Sequence, residues 1–575
     1  MSASDFSAEQ QQYLKGFFAG VEARRGTLTP IGNEAGAPPD LMRSAQDRAI
    51  AAGGKLTEAE IAKREKHPLD RWPEIVTRAE DAKFPKGVDV LLARWHGLFF
   101  VGPTQDSYMI RLRIAGGIVT SDQLRGIADL ATEFGNGFAD VTTRANLQLR
   151  EIRAQDGPEV VMRLGDLGLL PRGTGADNIR NITASPTAGI DAGALLDTRP
   201  IVRALNHHIL NSRDLFGLPR KFNIAVSGGG LVEVLEDTND IALTAVRTPT
   251  GIMFRLGLGG ITGHRDFARP TGILVLPKDA VRVCDAILRV YIAHGDRTNR
   301  AKARLKYLLD SWGLVTFLEK VEAELGCPLT RMDEATIEAP QAPLRNGHIG
   351  IHAQAQPGLF YVGVVTRLGR VSEAQLRDLS AIAERFGRGE IRLTVWQNLL
   401  IPNIAEADLP AVTNALAACG LTHEAGPIRA GLVACTGNAG CKFAASNTKR
   451  HAMDIAEYVE ARITLDAPIN IHLTGCHHSC AQHYIADIGL LGAKVDRGDE
   501  EIEGYDLHVG GGAGPQQKIG RLLTRLAHDA TGPAILGLLR FWTEQREVDE
   551  SFQAFSARQP DDVLCAVIEA EIAGR

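Results

Sequence analysis

Four of the chain's eight cysteines fall in two short strings, ACTGNAGC and TGCHHSC. Cys435 and Cys441 are spaced C-x5-C, Cys476 and Cys480 are spaced C-x3-C, and 34 residues separate the pairs. Thiolate is a soft ligand, so four cysteines grouped this way read as one metal centre holding either zinc or an iron–sulfur cluster. The C-x2-C or C-x4-C knuckles of structural zinc sites fit this pair of spacings poorly. Cys284, Cys327, Cys419 and Cys565 stand alone and read as buried thiols with no ligand role.

An internal repeat must position these residues. Tyr108–Leu149, shifted by 252 positions without a gap, lands on the segment that starts at Phe360. Leu124 falls on Leu376, Phe134 on Phe386 and Asn146 on Asn398. Each copy reads as a strand of alternating character, a Ser-capped helix and a second strand. Asn223–Gly228 then matches Asn470–Gly475 at an offset of 247, where Asp240-Ile241 also meets Asp487-Ile488. Phe254–Gly263 meets Tyr505–Gly514 at 251. Near-constant offsets imply a duplication with pseudo-twofold symmetry and a ligand at the interface between halves. The halves differ in chemistry. Gly229 stands opposite Cys476, while Arg111 and Arg144 stand opposite Gly363 and Trp396. One half carries soft ligands and the other cations. Ahead of the repeat, Leu28–Pro39 reads as loop and Glu58–Glu65 as a short polar helix.

Composition narrows the class. Lys and Arg number 63 against 69 Asp and Glu, a net charge of −6 that argues against nucleic acid as the main ligand. Charged residues at 23% and hydrophobic ones at 44% suit a soluble globular protein rather than a disordered one. The first twenty residues lack a secretory pattern, and no run reaches the ~20 apolar residues of a membrane span. Sparse cysteines exclude a disulfide scaffold, so a cytoplasmic protein with reduced thiols is expected.

C-x5-C followed by G-C-x3-C resembles the siroheme-containing nitrite and sulfite reductases, and ACTGNAGCKFAASNTK resembles the nitrite reductase signature. The likeness runs from about Trp95 to Gly520. It implies an α+β, pseudo-twofold duplicated fold with ferredoxin-like half-domains around siroheme and an iron–sulfur cluster. The implied units are an N-terminal extension (1–85), a half-domain (86–155), a first siroheme-binding domain (156–335), a second half-domain (336–410) and a cluster domain (411–575). By resemblance Cys435, Cys441, Cys476 and Cys480 hold a [4Fe–4S] cluster, and Cys480 bridges to the siroheme iron. Asn438 and His478 join Cys480 as cofactor-binding residues. The family's second motif is commonly C-P-N-[GS]-C, whereas CHHSC stands here.

Siroheme carries eight carboxylates and nitrite is an anion, so both require cations. The resemblance gives Arg111 in MIRLRIAGG, Arg180 in DNIRNITASPTAGID and Lys221 in LPRKFN to the substrate face of siroheme. It gives Arg144 in TTRAN and Arg220 in LPRK to its carboxylates, with Ala145 where the family usually has Gln. Arg113 has no such support. Asn223 stands where sulfite reductases carry a second Lys, and one cation fewer suits a monoanion; DTRP at Asp197–Pro200 points the same way. The implied activity is six-electron reduction of nitrite to ammonium by a monomer fed by ferredoxin. Val509–Pro515 fails the G-x-G-x-x-G nucleotide pattern. Lys302, Arg304 and Lys306 are candidates for a basic patch facing an acidic donor. A sulfite reductase or corrin-ring oxygenase on the same frame, or a non-catalytic four-Cys metal module, are the alternatives.

Overall fold

The computed structural model describes residues 40–102, 105–338 and 341–574. The loop expected over Leu28–Pro39 lies outside the described residues. The helix expected at Glu58–Glu65 has those bounds, and the Thr57 hydroxyl caps it by accepting from the Glu60 N–H. The helix is polar as expected, and two of its charged residues, Glu60 and Lys63, are buried.

Four sheets run through the described residues. The first copy of the repeat contributes β1 (Leu98–Phe100), β2 (Tyr108–Arg111), β3 (Ile118–Thr120), β4 (Phe138–Thr142) and β5 (Asn146–Ile152). Next come β6 (Thr183–Ala184), β7 (Ile224–Ser227), β8 (Ile241–Thr248), β9 (Gly251–Leu258), β10 (Arg269–Val275) and β11 (Thr330–Arg331). The second copy gives β12 (Gly350–Ala353), β13 (Leu359–Val364), β14 (Arg370–Ser372), β15 (Glu390–Leu393) and β16 (Leu399–Ala405). The last sheet uses β17 (Leu432–Ala434), β18 (Ile471–Thr474), β19 (Ile488–Arg497), β20 (Glu500–Val509) and β21 (Arg521–Ala527).

The two copies of the repeat are interlocked. Their sheets run β1-β2-β5-β4-β14 and β12-β13-β16-β15-β3, so each copy lends its third strand to the other. Val119 pairs with Ile391, and Val371 with Ala139, positions that the repeat offset interchanges. All four are fully buried. Between them lie the helices Ser121–Glu133 and Glu373–Phe386, each opened by a capping box. The expected serine cap holds only in the second copy, at Ser372. In the first, Thr120 caps and Ser121 is already helical.

The sheets β6–β11 and β17–β21 share one mixed topology. Two parallel pairings are followed by antiparallel ones. Ile224 opposes Ile241 and Ile471 opposes Ile488, the register that the 247 offset implies. Parallel neighbours need a crossover. The helix Arg199–Asn211 lies between β6 and β7, and Thr448–Glu460 between β17 and β18. Between β7 and β8, and between β18 and β19, the crossover is a loop. The second of these loops carries Cys476 and Cys480.

The exchange makes each copy depend on the other. Ile391→Ala should cost about 2–5 kcal/mol, the range for a fully buried Ile to Ala change. The loss should appear in both copies at once, because Ile391 packs on Val119 of the first. Urea denaturation followed by proteolysis of sites in each copy checks this; unfolding confined to the second copy would contradict the interlock.

Candidate metal and anion site

The carboxyl ends of adjacent parallel strands lie side by side, the usual ligand position in such sheets. Cys435 directly follows β17, and Cys476 lies two residues past β18. The Gly475 N–H points at Cys435 Sγ, 3.2 Å away. A Cβ at Gly475 would meet Ala444 Cβ at 2.5 Å, so the close approach of the two cysteine loops requires glycine there. The first half reaches into this site. Thr143 Oγ1 donates to the Cys480 carbonyl at 2.8 Å, and Arg150 donates to Thr436 Oγ1 at 2.6 Å and to the Gly440 carbonyl at 3.3 Å.

The four thiols feel one another. Burial and its three partner thiols push Cys476 up to about 12, while a hydrogen bond involving His478 opposes the rise. Burial, Cys435 and Cys441 raise Cys480, while Lys221 and Arg111 pull it down. Neighbouring thiols that raise Cys476 and Cys480 call for positive charge among them, which a bound metal supplies. Among the described residues no three His, Cys, Asp or Glu converge as a single metal ion would require. Of the other cysteines only Cys284 is buried, its thiol pushed up to about 12. Cys327 is exposed, and Cys419 and Cys565 are half-buried, which corrects the expectation for these three.

Cys480 is exposed to solvent, although burial is the main cause of its raised pKa. A group surrounded by protein yet reachable by water lines a deep cavity. Lys221, Arg111 and Arg180 behave alike: all are half-buried, and burial lowers all three, Lys221 to about 7 and Arg111 to about 10. The five expected cations come together here. Arg111 acts on Cys480 and Arg180, Lys221 on Cys480, Arg180 and Arg220, and Arg144 on Arg111. Arg180 donates to the Thr174 and Ala176 carbonyls at 2.8 and 2.9 Å. Arg144 donates to Asn239 Oδ1 and the Asn181 carbonyl at 2.8 and 2.7 Å. Arg94, Arg300 and Arg304, not assigned to the site from sequence, join the set. Within it, eight cations face two buried carboxylates, Asp177 and Asp240. The Nε atoms of Arg94 and Arg144 are buried with no partner. A polyanion such as siroheme fits this cavity, and thiols beside it fit an iron–sulfur cluster.

Other expected residues take different places. Asn223 lies on the same side of the extended segment as Lys221, because Phe222 between them is fully buried. Its N–H donates to Asp240 at 2.8 Å, as the Asn470 N–H does to Asp487 in the other half. His478 Nδ1 lies 3.3 Å from Cys476 Sγ, and burial together with His477 and Lys221 lowers the ring to about 4, so it is neutral near pH 7. Asn438 donates its amide to Glu503 at 2.7 Å. Arg304 does not belong to a surface patch: it is buried and bonds Asp240 at 2.7 Å. Lys306 is paired with Asp266 and Asp310, which leaves Lys302 exposed alone. Arg113 is buried and donates to the Arg172 and Ile179 carbonyls. A cavity of roughly 690 Å³ lined by Trp396, Arg429 and Phe138 contains none of the expected cations or cysteines.

The symmetry-related position in the first half carries a carboxyl in place of a thiol. Glu233 stands where the 247 offset puts Cys480. Burial, Asp237 and Glu236 push Glu233 up to about 8; burial and Asp237 push Glu236 up to about 7. Trp396, opposite Arg144, stacks on His348 at 5.5 Å and meets His472 edge-on at 6.0 Å.

Family models agree with this layout. The nitrite and sulphite reductase 4Fe-4S domain matches residues 175–329 and 426–550. The nitrite/sulfite reductase ferredoxin-like half domain matches 101–167 and 352–419. The ferredoxin–nitrite reductase of Leptolyngbya laminosa is 39% identical over 78% of this chain and 88% of its own length. That of Synechococcus elongatus is 36% identical over 82% and 94%. The assimilatory ferredoxin-dependent nitrite reductase of Haloferax mediterranei is 31% identical over 83% and 87%. The NirA protein of Mycobacterium tuberculosis superposes with a TM-score of 0.84 at 31% identity, covering 90% of this chain and 99% of that one.

Two outcomes test the site. Cys480→Ser should lose most bound iron, since a hydroxyl is a poor iron ligand, whereas Cys284→Ser should retain it; iron analysis of both proteins decides. The second test is thermal. Glu233 and Glu236 hold protons in the folded state that they release near pH 4.3 when unfolded. Folding is therefore penalised progressively as pH climbs from about 4 to about 8. Glu233→Gln removes one share of that penalty, and its Tm should fall less steeply over the same range.

Proposed function

The chain belongs to the nitrite and sulphite reductase family, and we propose that it is an assimilatory, ferredoxin-dependent nitrite reductase. The observation that carries this reading is the meeting, in one cavity, of four thiols and a set of cations that outnumbers its carboxylates. Residues 86–155 and 336–410 act as the half-domains that wall this cavity. Residues 156–335 and 411–575 supply Arg180, Arg220, Lys221 and the cysteines.

When bound, the [4Fe–4S] cluster and siroheme supply one-electron transfer and the iron at which six electrons enter nitrite nitrogen. Cys435, Cys441, Cys476 and Cys480 would hold the cluster, and Cys480 would also serve the siroheme. Arg144 and Arg220 grip siroheme carboxylates by charge-assisted hydrogen bonds. Arg111, Arg180 and Lys221 attract nitrite and stabilise negative charge on its oxygens, worth more in a partly desolvated cavity than in water. Lys221 is the residue suited to give up a proton, because its pKa is pushed down to about 7 by burial and Arg304. His478, neutral near pH 7, stands beside Cys476 and tunes that thiolate rather than adding charge. The protein acts as a monomer in the cytoplasm, and among its described residues no helix is long and apolar enough to cross a membrane.

Sulfite reduction is the second reading, and Asn223 separates the two. Asn223 is tied through its backbone N–H, so a larger side chain leaves that bond intact. Asn223→Lys should therefore fold. It should raise kcat/KM for sulfite relative to nitrite by about ten- to a hundredfold, because one more cation near the anion favours a dianion. Assays of both substrates with reduced viologen, on protein that shows the red absorbance of siroheme, give the ratio. An unchanged ratio places selectivity elsewhere, and a wild-type chain that lacks the red band contradicts the proposed function.

A further inference from the structure

We propose that Lys63, on the helix Glu58–Glu65, is a positioning residue for Lys221 and so for the anion bound beside it. The inference rests on the reading of Lys221 as an anion-site cation. The segment leading into Arg220 and Lys221 presents three consecutive carbonyls, and each accepts a hydrogen bond from a side chain of a distant segment. Trp95 Nε1 donates to Phe216 O at 3.1 Å, Arg297 Nη2 to Gly217 O at 2.9 Å and Lys63 Nζ to Leu218 O at 3.0 Å. All three donors are buried.

Beyond Lys221 the chain is fixed again. The Phe222 N–H donates to Asn178 O at 3.0 Å, and the Arg180 N–H donates to Phe222 O at 2.8 Å. Pro219, Arg220 and Lys221 are thus the short span between two anchored ends. The Lys63 tie is the nearest anchor on the N-terminal side.

Lys63 is itself locked. It pairs with Glu60, whose other oxygen is held by Arg297 at 2.7 Å. It also lies 3.4 Å from Asp177 Oδ2. Asp177 takes both terminal nitrogens of Arg300, at 2.7 and 2.6 Å, and lies 3.9 Å from Arg220. One ammonium group therefore joins the helix Glu58–Glu65, the backbone ahead of Lys221 and the carboxylate that lies 3.9 Å from Arg220. A lysine buried this completely is found only where it is paired, and here the pairing fixes a neighbour of the anion site.

The test is nitrite affinity, read by absorbance titration of the siroheme-containing protein. Removing Lys63 alone would take away one of the two cations paired with Glu60, so the substitutions are made together as Glu60→Gln with Lys63→Met, the Gln oxygen remaining to accept from Arg297. The expected variant melts cooperatively and keeps its siroheme, but binds nitrite roughly ten- to a hundredfold more weakly, the scale of a misplaced binding group. In a Lys221→Met background the same pair of substitutions should weaken binding no further, because residues acting through one contact are not additive. Unchanged affinity, or an equal loss in both backgrounds, overturns the proposal. If the paired variant does not fold, Lys63→Gln, whose shorter amide leaves Leu218 O unmet, is titrated with the same two outcomes. A wild-type protein that holds siroheme but binds no nitrite overturns the functional reading, and this inference with it.

Discussion

Buried positive charge in excess of its carboxylates is the constraint on which the site depends. Like charges at close range oppose one another, and burial strips them of water. The effect is visible in Arg111 and Arg144, which burial and neighbouring guanidinium groups hold down to about 10 and about 9. The fold answers partly with backbone. Arg144 and Arg180 donate to main-chain carbonyls rather than to acids. Those bonds orient the cations without neutralising them, and so leave their charge free for an anionic ligand. The thiols across the cavity have the opposite deficit, and Lys221 and Arg111 touch both sides by lowering Cys480.

The duplication shows how one frame was adapted twice. Each half ties an Asn N–H to an Asp at the start of a central strand, Asn223 to Asp240 and Asn470 to Asp487, and each Asp is paired with an arginine, Arg304 or Arg345. This repeated unit is scaffold. The halves differ in what the loops after β7 and β18 carry: Glu233 in one, Cys480 in its counterpart. Where the first half opens a cation-lined space beside Arg144, the second fills the matching space with Trp396 between His348 and His472.

Much of this was legible in the sequence because it is local or periodic. The cysteine spacing, the Glu58–Glu65 helix and the register of Ile224 and Ile471 all follow from short patterns or from the constant offset. The strand exchange was not legible. Self-similarity is the same whether Val119 pairs within its own copy or with Ile391 of the other. Arg304 was misread because a run such as NRAKARLKYLL looks like a solvated face, and only tertiary contact reveals that Asp240 waits beneath it. Lys63 showed only its i,i+3 spacing from Glu60, since its other partners, Asp177 and Leu218, lie more than a hundred residues away. Asn438 sits inside the clearest motif of the chain, yet its amide is taken by Glu503.

The exchanged strands set a timetable for synthesis. Thr120 pairs with Glu390, so β3 leaves the ribosome about 270 residues before its partner β15 exists. At ~5–20 residues per second that is a wait of roughly 15 to 50 seconds with an unpaired edge. A long apolar strand would recruit other nascent chains during such a delay. β3 is only three residues, Ile-Val-Thr, and turns at once into a helix held by its own capping box. Brevity and a self-capped helix limit the edge that the first copy exposes until the second arrives to complete its sheet.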